Sequence, residues 1–150
     1  MAGFLKKIFT KKYQKSIEQD TIDPGIAACV LMLEVSMTDN EFSDDERQYI
    51  LSLIERDRNI DKDQAKDILG QAEKQRQDGI DLWHFTKQIN SHFSQDEKIR
   101  LIEEIWRIIY MDKRLDGHED HLVHLLSSLL HLTHSQLIDA KLKVKKEVMG

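Results

Sequence analysis

Four carboxylates stand in equivalent places along this 150-residue chain, and their type and spacing give them the best claim to chemistry. The stretch from Met37 to Glu46 (MTDNEFSDDE) aligns without a gap on the stretch from Tyr110 to Glu119 (YMDKRLDGHE), at an offset of 73 residues. Asp39 then matches Asp112, Phe42 matches Leu115, Glu46 matches Glu119 and Leu53 matches Leu126. By helical spacing Met32, Val35 and Asp39 share one stripe, and Ile105, Ile108 and Asp112 repeat it. After each turn Glu46 leads Ile50 and Leu53, just as Glu119 leads Val123 and Leu126. All four acids therefore sit where inward-facing rows begin or end.

A carboxylate drawn toward an interior is costly unless it is hydrogen-bonded, paired or coordinated. Local satisfaction is one answer: Glu46 and Glu119 become the third-position acids of capping boxes, while Asp39 and Asp112 accept N–H bonds from the turn that follows each. A hard divalent cation is another, since four oxygen-bearing acids suit calcium, magnesium or manganese. An acidic patch that binds a partner is the third. The turn is not an EF-hand, which needs Gly at its sixth position, where Asp44 stands, and Glu at its twelfth, where the chain is apolar. In the second copy Arg114 takes a ligand position and repels metal, so a cation site has to be shared between the two copies.

Other reactive types lead less far. Five of the seven His fall between positions 118 and 134, but His118 and His121 are three apart and do not form the zinc-protease pattern. His121, His124 and His131 lie opposite the Leu122, Leu126 and Leu129 stripe, which makes them a polar face or a weak transition-metal or pH-sensitive surface. Cys29 lies within an apolar run beside Ala28 and Val30 and reads as an inert buried thiol. Trp83 and Trp106 follow apolar spacing and are expected in the core. With no phosphate-binding Gly-rich loop, no nucleophile elbow and no nucleophile beside a base, the chain reads as a non-enzyme.

Charge sets two regions apart. Residues 1–16 carry Lys6, Lys7, Lys11, Lys12 and Lys15 and no acid, whereas the whole chain has a net charge of −5, so the rest sums to −10. Such an acidic body excludes broad nucleic-acid binding. In the arm, Phe4, Leu5, Ile8 and Phe9 are ringed by Lys6, Lys7, Lys11 and Lys12, a pattern that suits an interfacial helix on anionic lipid or a helix docked on the body. The arm at 1–19 is therefore set apart from a helical domain at 20–150, and a protein partner or peripheral membrane contact is expected through Phe4, Lys6, Lys7, Phe9, Lys11 and Lys12. Gly25 to Thr38 falls short of a bilayer crossing, and no secretory signal is read, so a cytoplasmic protein, peripheral on the inner membrane at most, is expected.

These residues have to be positioned by helices. With 40% hydrophobic residues, 33% charged, six Gly, one Pro and one Cys, the composition favours long helices with short turns, needs no disulfide, and requires no cofactor to fold. Start signals stand at Ser43 with Glu46, Asp61 with Gln64, Ser94 with Glu97, Asp116 with Glu119 and Thr133 with Gln136. Asp23 with Pro24 opens another helix, and a Trp-bearing segment runs from Asp81 to Phe93. With the arm, this predicts an all-α fold of about seven to eight helices. The turn at Gln77, Asp78 and Gly79 divides two pseudo-symmetric helical-hairpin units that bury their apolar faces in one bundle.

The stretches LMLEVSMTDNEFSDDE at 31–46 and IWRIIYMDKRLDGHE at 105–119 resemble the TerB-like family, named after a tellurite-resistance protein, whose acidic turn follows an apolar helix and occurs twice. The likeness covers about residues 23–145, with Asn40 and Lys113 at the family motif's Gly positions. It implies an all-helical, non-catalytic domain that binds a divalent metal through Asp39, Glu46, Asp112 and Glu119, and a link to stress at the inner membrane. A similar domain occurs in a membrane-anchored J-domain co-chaperone, which implies a protein-interaction role as the alternative.

Overall fold

The computed structural model describes residues 23–38, 42–79, 81–111 and 117–149. These form seven helices and no strand: α1 (Pro24–Ser36), α2 (Asp44–Arg58), α3 (Lys62–Gln77), α4 (Leu82–His92), α5 (Gln95–Met111), α6 (Gly117–Leu129) and α7 (His134–Met149). Helices α5, α6 and α7 begin about 71–73 residues after α1, α2 and α3, in the same order.

Local chemistry sets the starts. Asp23 accepts the Gly25 N–H at 2.9 Å, and Pro24 costs nothing in the first turn because its missing N–H would have had no helical partner. Ser43 with Glu46 and Asp61 with Gln64 form reciprocal capping boxes. Ser94 with Glu97 and Thr133 with Gln136 make the same paired bonds, at 2.7–3.1 Å. The fifth start signal, at Asp116, lies outside the described residues. Gly79 closes α3 at φ 84°, a conformation that a side chain resists.

Helix α1 is apolar on every side, and a helix without a polar face belongs in the centre. From Pro24 to Ser36 only Glu34 is not fully buried, and it pairs with Arg76 of α3 at 2.8 Å. Helices α3 and α4 cover α1, α5 lies beside it, and α7 covers α5. Trp106 on α5 is 0% exposed, as expected, and Lys141 lies over its ring at 5.2 Å. Trp83 departs from expectation: it is 53% exposed on α4. The inward row of α4 is Phe85, Thr86 and Ile89, so Trp83 falls just outside it, with Lys87 over its ring at 4.9 Å.

A polar chain ties α2 to the later helices. The Tyr49 hydroxyl donates to Glu104, Arg107 pairs with Glu104 at 3.1 Å, and Arg107 grips both oxygens of Glu147 on α7 at 2.6 and 3.0 Å. Among the described residues no helix is long and apolar enough to cross a membrane.

Candidate functional site

The site grows from the end of α1 and the start of α2. Helix α1 closes when Met37 N–H donates to Leu33 O at 2.9 Å and the Thr38 hydroxyl returns to Val35 O at 3.0 Å. The chain re-enters helix at Ser43, whose Oγ accepts the Glu46 N–H at 3.1 Å, while Glu46 Oε1 accepts the Ser43 N–H at 3.0 Å. Asp44, Asp45 and Glu46 fill the first turn, where the exposed N–H groups of a helix favour negative charge. Asp44 and Asp45 point to solvent, but Glu46 is only 4% exposed. The cause is its register: it leads the row of Ile50 and Leu53, both buried.

All the apolar rows that were to carry the acids are interior, including Met32, Val35, Ile105, Ile108, Val123 and Leu126. Of the acids themselves, Glu46 alone is described with its side chain. Asp39 and Asp112 lie outside the described residues, and Glu119 occupies the third position of α6 with its side chain outside them. The arm residues Phe4, Lys6, Lys7, Phe9, Lys11 and Lys12 also lie outside. Among the described residues no group of three or more His, Cys, Asp or Glu is placed to hold a metal ion.

The described part of the hairpin suits a hard cation in its donor chemistry. It offers an interior carboxylate oxygen at Glu46, and Ser36 at the end of α1 buries a hydroxyl with no hydrogen-bond partner. The nearest basic residue in sequence, Arg47, is committed to Glu73 at 2.9 Å and lies against the Phe42 ring. The four acids themselves offer oxygen donors, which suit oxygen-seeking ions better than soft ones.

The other candidates resolve into structural roles. Burial pushes the Cys29 thiol up to about 12, with Asp23 adding to the shift, so it stays protonated and unreactive. His121 and His131 are exposed and His124 is half-buried, its ring 5.8 Å from that of His134. His131 holds a left-handed φ of 62° and ends α6: its N–H reaches Ser128 O and that of Leu132 reaches Ser127 O, both at 3.0 Å. On the exposed end of α4, the His84 ring nitrogen beside Asp81, at 3.0 Å, holds that carboxyl below its usual range.

Sequence reasoning missed Lys98, which is buried and donates to Asn90 Oδ1 at 3.2 Å and Leu130 O at 3.0 Å, while Asn90 donates to Leu129 O at 3.0 Å. Together these side chains satisfy the last carbonyls of α6. Burial lowers the affinity of Lys98 for its proton. The available signal was its register, one turn before Leu101 and Ile102.

Comparison with curated proteins finds no match, and comparison with solved structures finds none. The family model of tellurite resistance protein TerB matches residues 25–142, a span that takes in both acidic turns and most of the described helices. With well over half of its length matched, and with an all-helical fold among the described residues, the chain belongs to the TerB family.

Proposed function

We propose that this chain is a non-enzymatic, tellurite-resistance-like TerB domain that binds a divalent cation through Asp39, Glu46, Asp112 and Glu119. The observation that carries the reading is the burial of the Glu46 carboxylate at the head of a core row. A carboxylate held at the edge of the interior offers oxygens in a fixed direction, and a hard cation takes oxygens from several acids at once. A bound cation would supply positive charge to Asp39, Glu46, Asp112 and Glu119. The protein's own part is to fix the acids: capping bonds orient Glu46, and the helix ends set where the turns begin.

The test is thermal unfolding of chelator-stripped protein with calcium, magnesium, manganese or zinc. A cation at ~100 times its dissociation constant should add ~2.7 kcal/mol. Asp39→Ala should abolish the gain and His124→Ala should not. No gain at millimolar metal would end this reading.

A second reading rests on the capping bond that already engages Glu46. In it the acids are structural, and the domain is a cytoplasmic interaction module, peripheral on an anionic inner-membrane surface, that meets its partner through residues 1–19. Deletion of 1–16 would then abolish co-sedimentation with anionic vesicles while leaving metal titrations flat.

A further inference from the structure

The turn at 130–133 between α6 and α7 is held from several directions. His131, in its left-handed conformation, and Leu132 return N–H bonds to Ser128 O and Ser127 O. The buried Lys98 ammonium donates to Leu130 O and the Asn90 amide to Leu129 O, each at 3.0 Å, while Thr133 and Gln136 cap the start of α7. Leu130 and Leu132 fix the turn from inside, at 0% and 8% exposure. The separation of the two helices at this end is therefore set by the backbone and the core.

Two histidines stand across this turn. His124 lies half-buried on α6, and His134 opens α7, exposed to solvent; their ring centres are 5.8 Å apart and their planes 34° apart. A zinc ion about 2.0–2.1 Å from a nitrogen of each of two rings, at a tetrahedral angle, places the ring centres about 5–6 Å apart. The observed spacing lies in that range, so one ion fits between the rings with both helices left in place.

Composition around the pair selects the kind of ion. Residues 121–138 contain no Asp, Glu, Lys or Arg, in a chain that is 33% charged. Within this stretch no carboxylate draws a hard cation and no ammonium repels a metal. Neutral imidazole nitrogens suit zinc, nickel and copper, whereas magnesium and calcium take oxygens.

We infer that His124 and His134 form a two-nitrogen zinc site across the α6–α7 turn, separate from the acidic turns. Two protein ligands leave the other positions of a four-coordinate ion to water or to an outside donor, so the site is open and exchangeable. It neither needs nor excludes a cation at Asp39, Glu46, Asp112 and Glu119.

Zinc titration of the chelator-stripped, full-length chain, followed by NMR of the histidine ring protons, tests it. The His124 and His134 signals should shift together along one binding curve. His124→Ala and His134→Ala should each weaken zinc binding at the remaining ring at least ~10-fold, the least that losing a group hydrogen-bonded to a metal ligand costs. His92→Ala, on α4, should leave binding unchanged, and millimolar magnesium or calcium should not displace the zinc. Rings that stay unmoved, or that titrate independently and as weakly as His92, would overturn the site on the wild-type chain alone, whether or not a variant folds. Displacement by magnesium would also overturn it and assign the zinc to the acids. Because zinc at this pair adds stability that Asp39→Ala leaves in place, magnesium, manganese and calcium are the ions that test the acids alone.

Discussion

Replacing Glu46 separates its capping role from its charge. Glu46→Gln keeps an oxygen for the Ser43 N–H, now bonded at 3.0 Å, and keeps the side-chain shape beside Ile50. Removing the negative charge from the first turn of α2 costs ~0.3–1 kcal/mol. Relief from burying a carboxylate at 4% exposure acts in the opposite direction. Metal-free stability of the Gln variant should therefore stay within ~1 kcal/mol of wild type. Glu46→Ala loses the reciprocal capping bond, at ~0.5–2 kcal/mol, and one buried methylene, at ~0.8 kcal/mol. Its cost should reach ~1.5–3 kcal/mol.

Urea unfolding with chelator, then with millimolar magnesium, manganese or calcium, reads both effects. A neutral amide is a poorer ligand than a carboxylate, so Glu46→Gln should lose ~1.4 kcal/mol or more of the wild-type gain, a tenfold loss in affinity. Equal cation stabilisation in Glu46→Gln and wild type would show that Glu46 is not a ligand. A metal-free cost for Gln as large as that for Ala would show that the charge itself holds the fold, and the argument from burial would fail.

Three further outcomes follow from the geometry. His131→Gly should raise stability by ~0.5–1 kcal/mol, since φ 62° suits glycine, and a fall in the urea midpoint would refute a strained cap. Tyr49→Phe and Arg107→Met should be non-additive by ~0.5–1 kcal/mol, because both meet Glu104 and removing either changes what the other contributes; strict additivity in a double-mutant cycle would refute coupling through that carboxylate. Cys29 should resist thiol reagents until the chain unfolds. A rise from 9.0 to about 12 leaves about a thousandfold less thiolate at pH 8. Because the folded value is the higher one, this term is fully present below pH 9 and is lost as pH rises from 9 toward 12, which alkaline unfolding would detect.

The helices were legible because their starts are local events. Ser43 with Glu46 and Thr133 with Gln136 fix a helix end with bonds three residues apart, and three residues of sequence contain the whole interaction. Central burial of α1 was legible for a similar reason, since a helix with no polar face can only be covered. Trp83 was not. Its spacing allowed the core, but α4 is covered on one face, and which of two adjacent stripes turns inward depends on α1, a helix more than forty residues earlier. The chain from Tyr49 through Glu104 and Arg107 to Glu147 was hidden for the same reason: only the spacing of Glu104 and Arg107 is local.

The acidic turns were half legible, and the half that was missing is a property of the capping box itself. An acid three residues into a helix is placed by the same spacing whether it serves backbone N–H groups or a cation. At Glu46 the structure adds what the spacing lacked: the acid lies inside, at 4% exposure. A capping bond satisfies part of a carboxylate's capacity and leaves its net charge in place. Capping and coordination are therefore compatible at one residue, and the Gln and Ala variants separate them because the amide keeps the capping oxygen, the methyl does not, and both lack the carboxylate's charge.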